Sequence, residues 1–359
     1  MSANKKLVAL AALTLVSGLA HAQSQLKVYG YLETAVGSFK PVGEQSVTKV
    51  QSGDMMTSFL GFAGTEDLGG GLKAEFALET FIGVDTGANV QNQAGQYWSR
   101  TSWVGLSGSL GKIALGQYDT PLFTAGLSYN PFGSSMTYSP TMRHFYNLGS
   151  TASSKLTNLS QTDTGWVNSI TYETPTYAGF SGTVQFSPKE SAKSTDSNSY
   201  SVGAAYNNGP LSLMAVYVDA GVSPKVSTLA AASAYPTEFR AANFNASYDF
   251  GVLKAFGQYT RFKYYDTAPL SVGSLTDVTK ANVWQVGVSV PVTASGTVLA
   301  SYGAAKYKQV GDDTSDKILS LGYDHALSKR TGVYAAFTTE KLSDFKGGRA
   351  LALGIKHSF

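Results

Sequence analysis

The chain contains no cysteine, so no disulfide framework can hold it together. Charge is sparse: 14% of the 359 residues are charged, with 27 basic against 24 acidic side chains. That excess is too small and too scattered for a nucleic-acid partner. Four histidines leave little material for metal or acid–base chemistry. Neither a Gly-rich phosphate cradle nor an EF-hand spacing occurs, and Asp312, Asp313, Asp316 and Lys317 read as a solvated loop. No metal and no cofactor is implied. Beyond the first two dozen residues, no run reaches the ~18 consecutive apolar residues of a spanning helix.

The N-terminus reads as a secretory signal over residues 1–22. Lys5 and Lys6 precede an apolar stretch, Leu7 to Leu19, and Ala20-His21-Ala22 supplies a small-x-small cleavage site. A mature domain over residues 23–359 is expected, exported but without a helical anchor.

What the chain has in quantity is glycine (38), tyrosine (21) and phenylalanine (18), with alternation of period two from end to end. Two all-β architectures fit: a secreted soluble sandwich or solenoid, and a transmembrane barrel with an apolar outside and a polar lumen. Sixteen strands leave roughly 21 residues for each strand and connection, which suits spanning strands of about ten residues.

The strands separate charge cleanly. Leu26, Val28, Leu32 and Val36 share one face, and Lys27, Tyr29, Tyr31 and Glu33 the other. Lys73, Glu75 and Glu79 alternate with Leu72, Ala74, Phe76 and Leu78. In lipid the charged face must point inward, because Lys or Arg at mid-bilayer costs about 2–4 kcal/mol. Asp54 to Thr65 and Gly71 to Asp85 form a hairpin, and Tyr97 to Ser109 pairs with Lys112 to Tyr118. Trp98 and Trp103 are candidate interface anchors. Five further hairpins and a closing strand, Gly348 to Phe359, bring the count to sixteen, with short and long connections alternating. That asymmetry is typical of bacterial barrels and has no reason to appear in a sandwich. The terminal Phe359, in step with Leu351, Leu353 and Ile355, suits a membrane interface.

One stretch breaks the rhythm. Tyr118 to Asp163 shows no strand pattern, is interrupted by Pro121, Pro131 and Pro140, and is rich in aromatics. Long structureless segments are usually functional or disordered, and disorder predicts few aromatics. We read it as a loop folded into the pore; the alternative is a flap over a neighbour.

At these residues the chain resembles the general porins of Gram-negative bacteria, most closely those of β-proteobacteria. Val28-Tyr29-Gly30, the run from Gly64 to Ala74, Trp103-Val104-Gly105-Leu106-Ser107-Gly108, the run from Leu321 to Thr331 and the ending Gly354 to Phe359 carry the likeness. The resemblance implies a homotrimeric, sixteen-stranded antiparallel transmembrane β-barrel in the outer membrane, amid lipid and lipopolysaccharide. Its third loop would form the eyelet, through which small solutes and ions diffuse. The trimer comes from the resemblance alone.

The departures bear on what passes. Such porins commonly carry wall arginines opposite the third loop, where this chain has Phe59, Ala63, Gln117 and Thr171; Arg100 is retained. The loop has Asp119 and Asp163 at its ends and the cations Arg143, His144 and Lys155. A weak transverse field is expected. The constriction is expected at Arg100, Gln117, Tyr118, Asp119, Tyr129, Phe132, Arg143 and His144. The lumen lining is expected at Lys27, Tyr29, Tyr31, Glu33, Phe59, Lys73, Glu75 and Glu79. Solutes would be neutral, aromatic or weakly anionic, unless the other lumen charges decide.

Two other classes compete with a channel. A non-conducting adhesive barrel would need large displayed loops, and these are moderate. A barrel hydrolase needs a base within reach of a nucleophile and a third group to orient it. His144 has only Ser134, Ser135 and Asp119 near it in sequence, His325 follows Asp324 in what reads as a turn, and His357 faces outward. No catalytic residue is assigned.

Overall fold

The structure, a computed structural model, describes residues 25–90, 96–146, 164–190, 192, 197–221, 238–265, 278–309 and 313–359. The expected signal segment, Lys155, Asp163 and Asp312 lie outside the described residues.

Among the described residues, eighteen strands form one antiparallel succession. They are β1 (Gln25–Lys40), β2 (Val47–Ser52), β3 (Phe59–Gly69), β4 (Leu72–Gly83), β5 (Ala88–Asn89), β6 (Thr101–Gly108), β7 (Gly111–Asp119), β8 (Gly165–Glu173) and β9 (Phe180–Ser187). Then follow β10 (Ser199–Asn208), β11 (Leu211–Ala220), β12 (Glu238–Asp249), β13 (Lys254–Tyr265), β14 (Val278–Pro291), β15 (Gly296–Gln309), β16 (Thr314–Ala326), β17 (Thr331–Leu342) and β18 (Gly348–Ser358). They make sixteen staves. β2 and β3 pair with successive halves of β1 and form one interrupted stave. β5 pairs with the tip of β4. β18 returns to β1 and closes the barrel.

The alternation decides the two faces. Leu26, Val28 and Val36 are more than half exposed, whereas Glu33 is wholly buried. The same split runs through β14, where Trp284 and Val286 are exposed and Gln285 is buried. An apolar band outside and polar groups inside is the arrangement lipid demands.

Three details differ from the sequence reading. The strand expected from Asp54 is broken at residues 53–58, because the Glu33 carboxylate captures the Gly53 and Asp54 amides at 2.6 and 2.7 Å and draws the chain inward. Asp324 and His325 belong to β16, not to a turn; Asp324 pairs with Lys356 and His325 faces Tyr323. Trp103 does not anchor an interface. It shares a face with Thr101 and Ser107, and the Lys112 ammonium stands 3.9 Å from its ring centre. Trp98 packs edge-on against Phe62, whose neighbours in register include the outward Val28.

The closing seam has its own device. The Gly30 amide donates to the Phe359 carbonyl at 3.3 Å, and the Phe359 amide returns a bond at 3.2 Å. A Cβ on Gly30 would stand 2.6 Å from both the Phe359 ring and the Phe59 carbonyl. Only glycine lets the terminal ring lie across β1. Gly30→Val should unseat it at a cost of about 1–3 kcal/mol. The check is the temperature at which the folded band is lost on a gel: it should fall, and an unchanged value would show that the ring's seat adds nothing.

Candidate functional site

The segment after β7 folds into two short helices, α1 (Pro121–Ser128) and α2 (Pro140–Tyr146). Thr120 caps α1 by accepting the Phe123 amide at 3.1 Å, with Pro121 at the first helical position. The Thr120 amide also bonds the Thr164 carbonyl at 3.0 Å, tying the two ends of the loop together.

Every wall group that the loop touches lies on the buried face of its strand. Gln258 on β13 donates to the Gly126 carbonyl at 3.0 Å, and Gln285 on β14 accepts the Thr141 amide at 2.8 Å. Tyr129 shares a 2.8 Å hydrogen bond with Ser212 on β11. Asn130 holds the bend between the helices, donating to the Gly126 and Gly133 carbonyls and accepting the Phe132 amide.

Four wall glycines make the room. A Cβ on Gly203, Gly287, Gly303 or Gly322 would come within 2.6–3.0 Å of Pro121, Pro131, Pro140 or Phe132 respectively. The loop's breakers and an aromatic therefore rest on bare backbone of β10, β14, β15 and β16. Phe123, Phe145 and Trp166 join Phe239 and Phe262 in a buried apolar cluster. Phe132 and Tyr138 pack with Tyr334 on β17 in a second.

The charges are paired across loop and wall. Arg143 forms an ion pair with Glu340 on β17 and donates to the Thr137 carbonyl at 3.3 Å. His144 Nε2 lies 3.4 Å from Asp316 on β16, and both side chains are buried. Asp54, in the inward break between β2 and β3, accepts from Thr137 at 2.9 Å, while its carbonyl accepts from Ser135 at 2.5 Å. Glu33 is bonded by Tyr334, so one network joins β1, the break, the loop and β17. Burial raises the Tyr138 phenol well above its ordinary value, with the charges of Asp54 and Glu33 adding to the shift. It stays neutral.

The expected site residues separate into groups. Arg100 pairs with Glu79, which Tyr29 also bonds, and its guanidinium stacks 4.1 Å over Phe59; Tyr31 lies opposite Phe59 in register. Gln117 turns to the Ser99 carbonyl at 2.5 Å, beside a register shift between Gly116 and Tyr118. Asp119 ends β7 at the loop's base, in register with Gly165 on β8. Lys27 is exposed, its ammonium 5.3 Å from the Tyr29 ring. Tyr118, Lys73 and Glu75 do not join the others. Lys73 and Glu75 sit toward the short-turn end, and Tyr118, although its backbone is beside Asp119, sends its hydroxyl that way to bond Glu173 and Lys112.

Three expectations need correction. Tyr129, Phe132 and His144 are about 4%, 3% and 0% exposed, packed against the wall, so they hold the loop and do not line an opening, and Glu33, at 0%, is enclosed in the network and does not face the lumen. Asp316 is not a solvated loop acid but a buried wall carboxylate. Glu340 and Asp316 were the residues missed. Period-two counting along β16 and β17 puts both on the inner face, but nothing local links them to Arg143 and His144.

A closed sixteen-stranded barrel with an apolar outside, a polar inside and a loop bonded to its inner wall is a transmembrane channel. A family model for Gram-negative porins matches residues 9–344. Outer membrane porin protein 32 of Delftia acidovorans is 34% identical, over 98% of this chain and 92% of its own. An outer membrane porin protein of Bordetella pertussis is 28% identical over 99% of this chain and all of its own. Among solved structures, an anion-selective porin from Comamonas acidovorans superposes with a TM-score of 0.72 at 27% identity, covering 94% of this chain and 100% of that one. The chain belongs to the Gram-negative porin family and is a channel of the outer membrane; no enzyme family is indicated.

Arg143 is the sharpest test of the pinning. Arg143→Ala strands a buried carboxylate and should cost about 3 kcal/mol, the low end for a buried pair because the arginine keeps some solvent. Adding Glu340→Gln should recover most of that loss. Urea unfolding in detergent reads both, and additive losses would mean that the pair is not coupled.

Proposed function

We propose that the loop from Thr120 to Tyr146 narrows a water-filled pore for passive diffusion of small solutes and ions, with a mild preference for anions, in a homotrimer surrounded by outer-membrane lipid and lipopolysaccharide. One observation carries the selectivity. The two arginines expected to set the bias are each opposed by a carboxylate, Arg100 by Glu79 and Arg143 by Glu340. Their charges largely cancel at short range, which weakens any transverse field.

The surplus lies elsewhere. A cavity of about 180 Å³ beside Arg143 is lined by Lys40, Lys49 and Arg349 as well, against the single carboxylate of Glu340. Four cations to one acid favour anions entering there. The anion-selective relative from Comamonas acidovorans is consistent with this. An aromatic preference loses its support, because Phe123, Tyr129, Phe132 and Phe145 are buried.

The trimer rests on the family, and a feature of the outer wall suits it. An apolar hollow spans β16, β17, β18, β1 and β2, with Val36, Val50, Leu353 and Ile355 around the small Ala35, Ala335 and Gly354.

Planar-bilayer recording tests the proposal. Channels should close in three equal steps, with a reversal potential under a salt gradient showing weak anion preference. Lys49→Glu should move that potential toward cations. Strong cation selectivity in the unaltered protein would show that the lumen carboxylates dominate, and a folded trimer without conductance would remove the pore reading.

A further inference from the structure

The short-turn, periplasmic end of the barrel holds a second built arrangement, separate from the loop. Lys73, Ser107, Lys112 and Glu173 stand side by side in register on β4, β6, β7 and β8. With Gly71, Gly108, Gly111 and Thr174 they line a cavity of about 310 Å³. One row further in, Glu75, Gly105, Ala114 and Thr171 are in register, so two small residues separate Glu75 from Thr171.

The Lys112 side chain turns into this corner. Its ammonium stands 3.9 Å from the Trp103 ring centre and 5.0 Å from that of Tyr118. It donates to the Tyr118 hydroxyl at 3.0 Å and lies 3.9 Å from Glu75 Oε2. Tyr118 in turn donates to Glu173 at 2.9 Å, and Ser107 donates to the other Glu75 oxygen at 2.9 Å. Two aromatic faces, a phenol and a carboxylate around one ammonium are the elements of a cation-binding cage. Here the chain's own lysine fills it.

We infer that this corner is a solute-binding subsite for small zwitterions, whose ammonium replaces that of Lys112 between Trp103 and Tyr118 while their carboxylate meets the displaced Lys112 and Lys73. Charge balance selects this class. Lys73 and Lys112 offset Glu75 and Glu173, so these four charges sum to zero. Two further carboxylates stand nearby and have partners of their own: Asp67, opposite Lys73 on β3, accepts the Gly69 amide within its turn, and Asp119, next to Tyr118, faces Arg100. A simple cation would leave the corner with an added positive charge and a lysine without its cage. A simple anion would find one lysine held by aromatic rings and a carboxylate. A zwitterion keeps the sum at zero and gives the displaced ammonium a new partner. The site depends on the barrel conducting water, which salt conductance reports independently.

The test uses the trimer in planar bilayers, with glycine betaine, choline or acetate added to each side in turn. These probes carry both charges, the cation alone and the anion alone. Betaine should interrupt the salt current more strongly than either of the others, and from the periplasmic side at lower concentration. Trp103→Leu should weaken betaine block about tenfold, the loss of one partly desolvated cation–π contact, with salt conductance intact. Lys112→Met keeps the stem but empties the cage and leaves the corner negative, so choline should now block better than betaine. Equal block of the unaltered channel by choline and betaine, no block by betaine, or a Lys112→Met channel that still prefers betaine would each overturn the inference. If Trp103→Leu fails to yield a folded trimer, the reversal of preference in Lys112→Met decides alone.

Discussion

Hydrocarbon offers no hydrogen bonds, so every backbone amide and carbonyl crossing it must be satisfied within the protein. For strands the one solution is closure, and the rest of this structure follows from it. Closure joins β18 to β1 and brings the terminal Phe359 over Gly30. It also fixes the alternation: one side chain in two meets lipid, the next meets the interior. Glu33 and Val36 lie three residues apart on β1, and one is wholly buried while the other is half exposed.

The same constraint limits what can be put inside. A loop entering a barrel brings its own backbone groups, and these need partners on the wall. Among the described residues the wall answers from inward positions: Gln258 and Gln285 bond loop backbone, while Ser212 and the carboxylates of β16 and β17 hold loop side chains. It supplies space the same way, since the proline-to-glycine contacts at Gly203, Gly287 and Gly303 bring loop and strand to backbone distance. A close-packed interior has no slack for a methyl group at such points. Loop and wall are therefore specified jointly, although they are far apart in the chain.

That joint specification marks the limit of what could be read from sequence. The barrel was legible because alternation is local: Leu26, Val28, Lys27 and Glu33 declare their faces without reference to any partner. The loop was legible as an interruption with aromatics in it. The roles of its residues were not, because they depend on partners that local pattern does not name. Arg143 reads as a free cation until Glu340, 197 residues later, is placed beside it. Phe132 reads as a ring for a pore until Gly322 and Tyr138 enclose it. Strand ends failed for a related reason. Asp324 and His325 have turn-like composition, yet the pairing of β16 with β15 and β17 carries them into the sheet.

Pairing the arginines has a consequence for how such a pore can discriminate. A cation left bare in a narrow aqueous opening would attract anions strongly and release them slowly, and conduction needs binding weak enough to let the solute leave. Opposing Arg100 with Glu79 and Arg143 with Glu340 keeps the structural use of each guanidinium, stacking on Phe59 and holding α2, while shortening the reach of its field. On the proposed reading, discrimination then falls to charges outside these two pairs. These lie at two heights: the lysines and Arg349 near Arg143, and the balanced corner around Lys112 at the periplasmic end. On the proposed reading, a solute passing from one to the other meets first an excess of positive charge and then a surface of both signs, which rewards a molecule that also carries an ammonium.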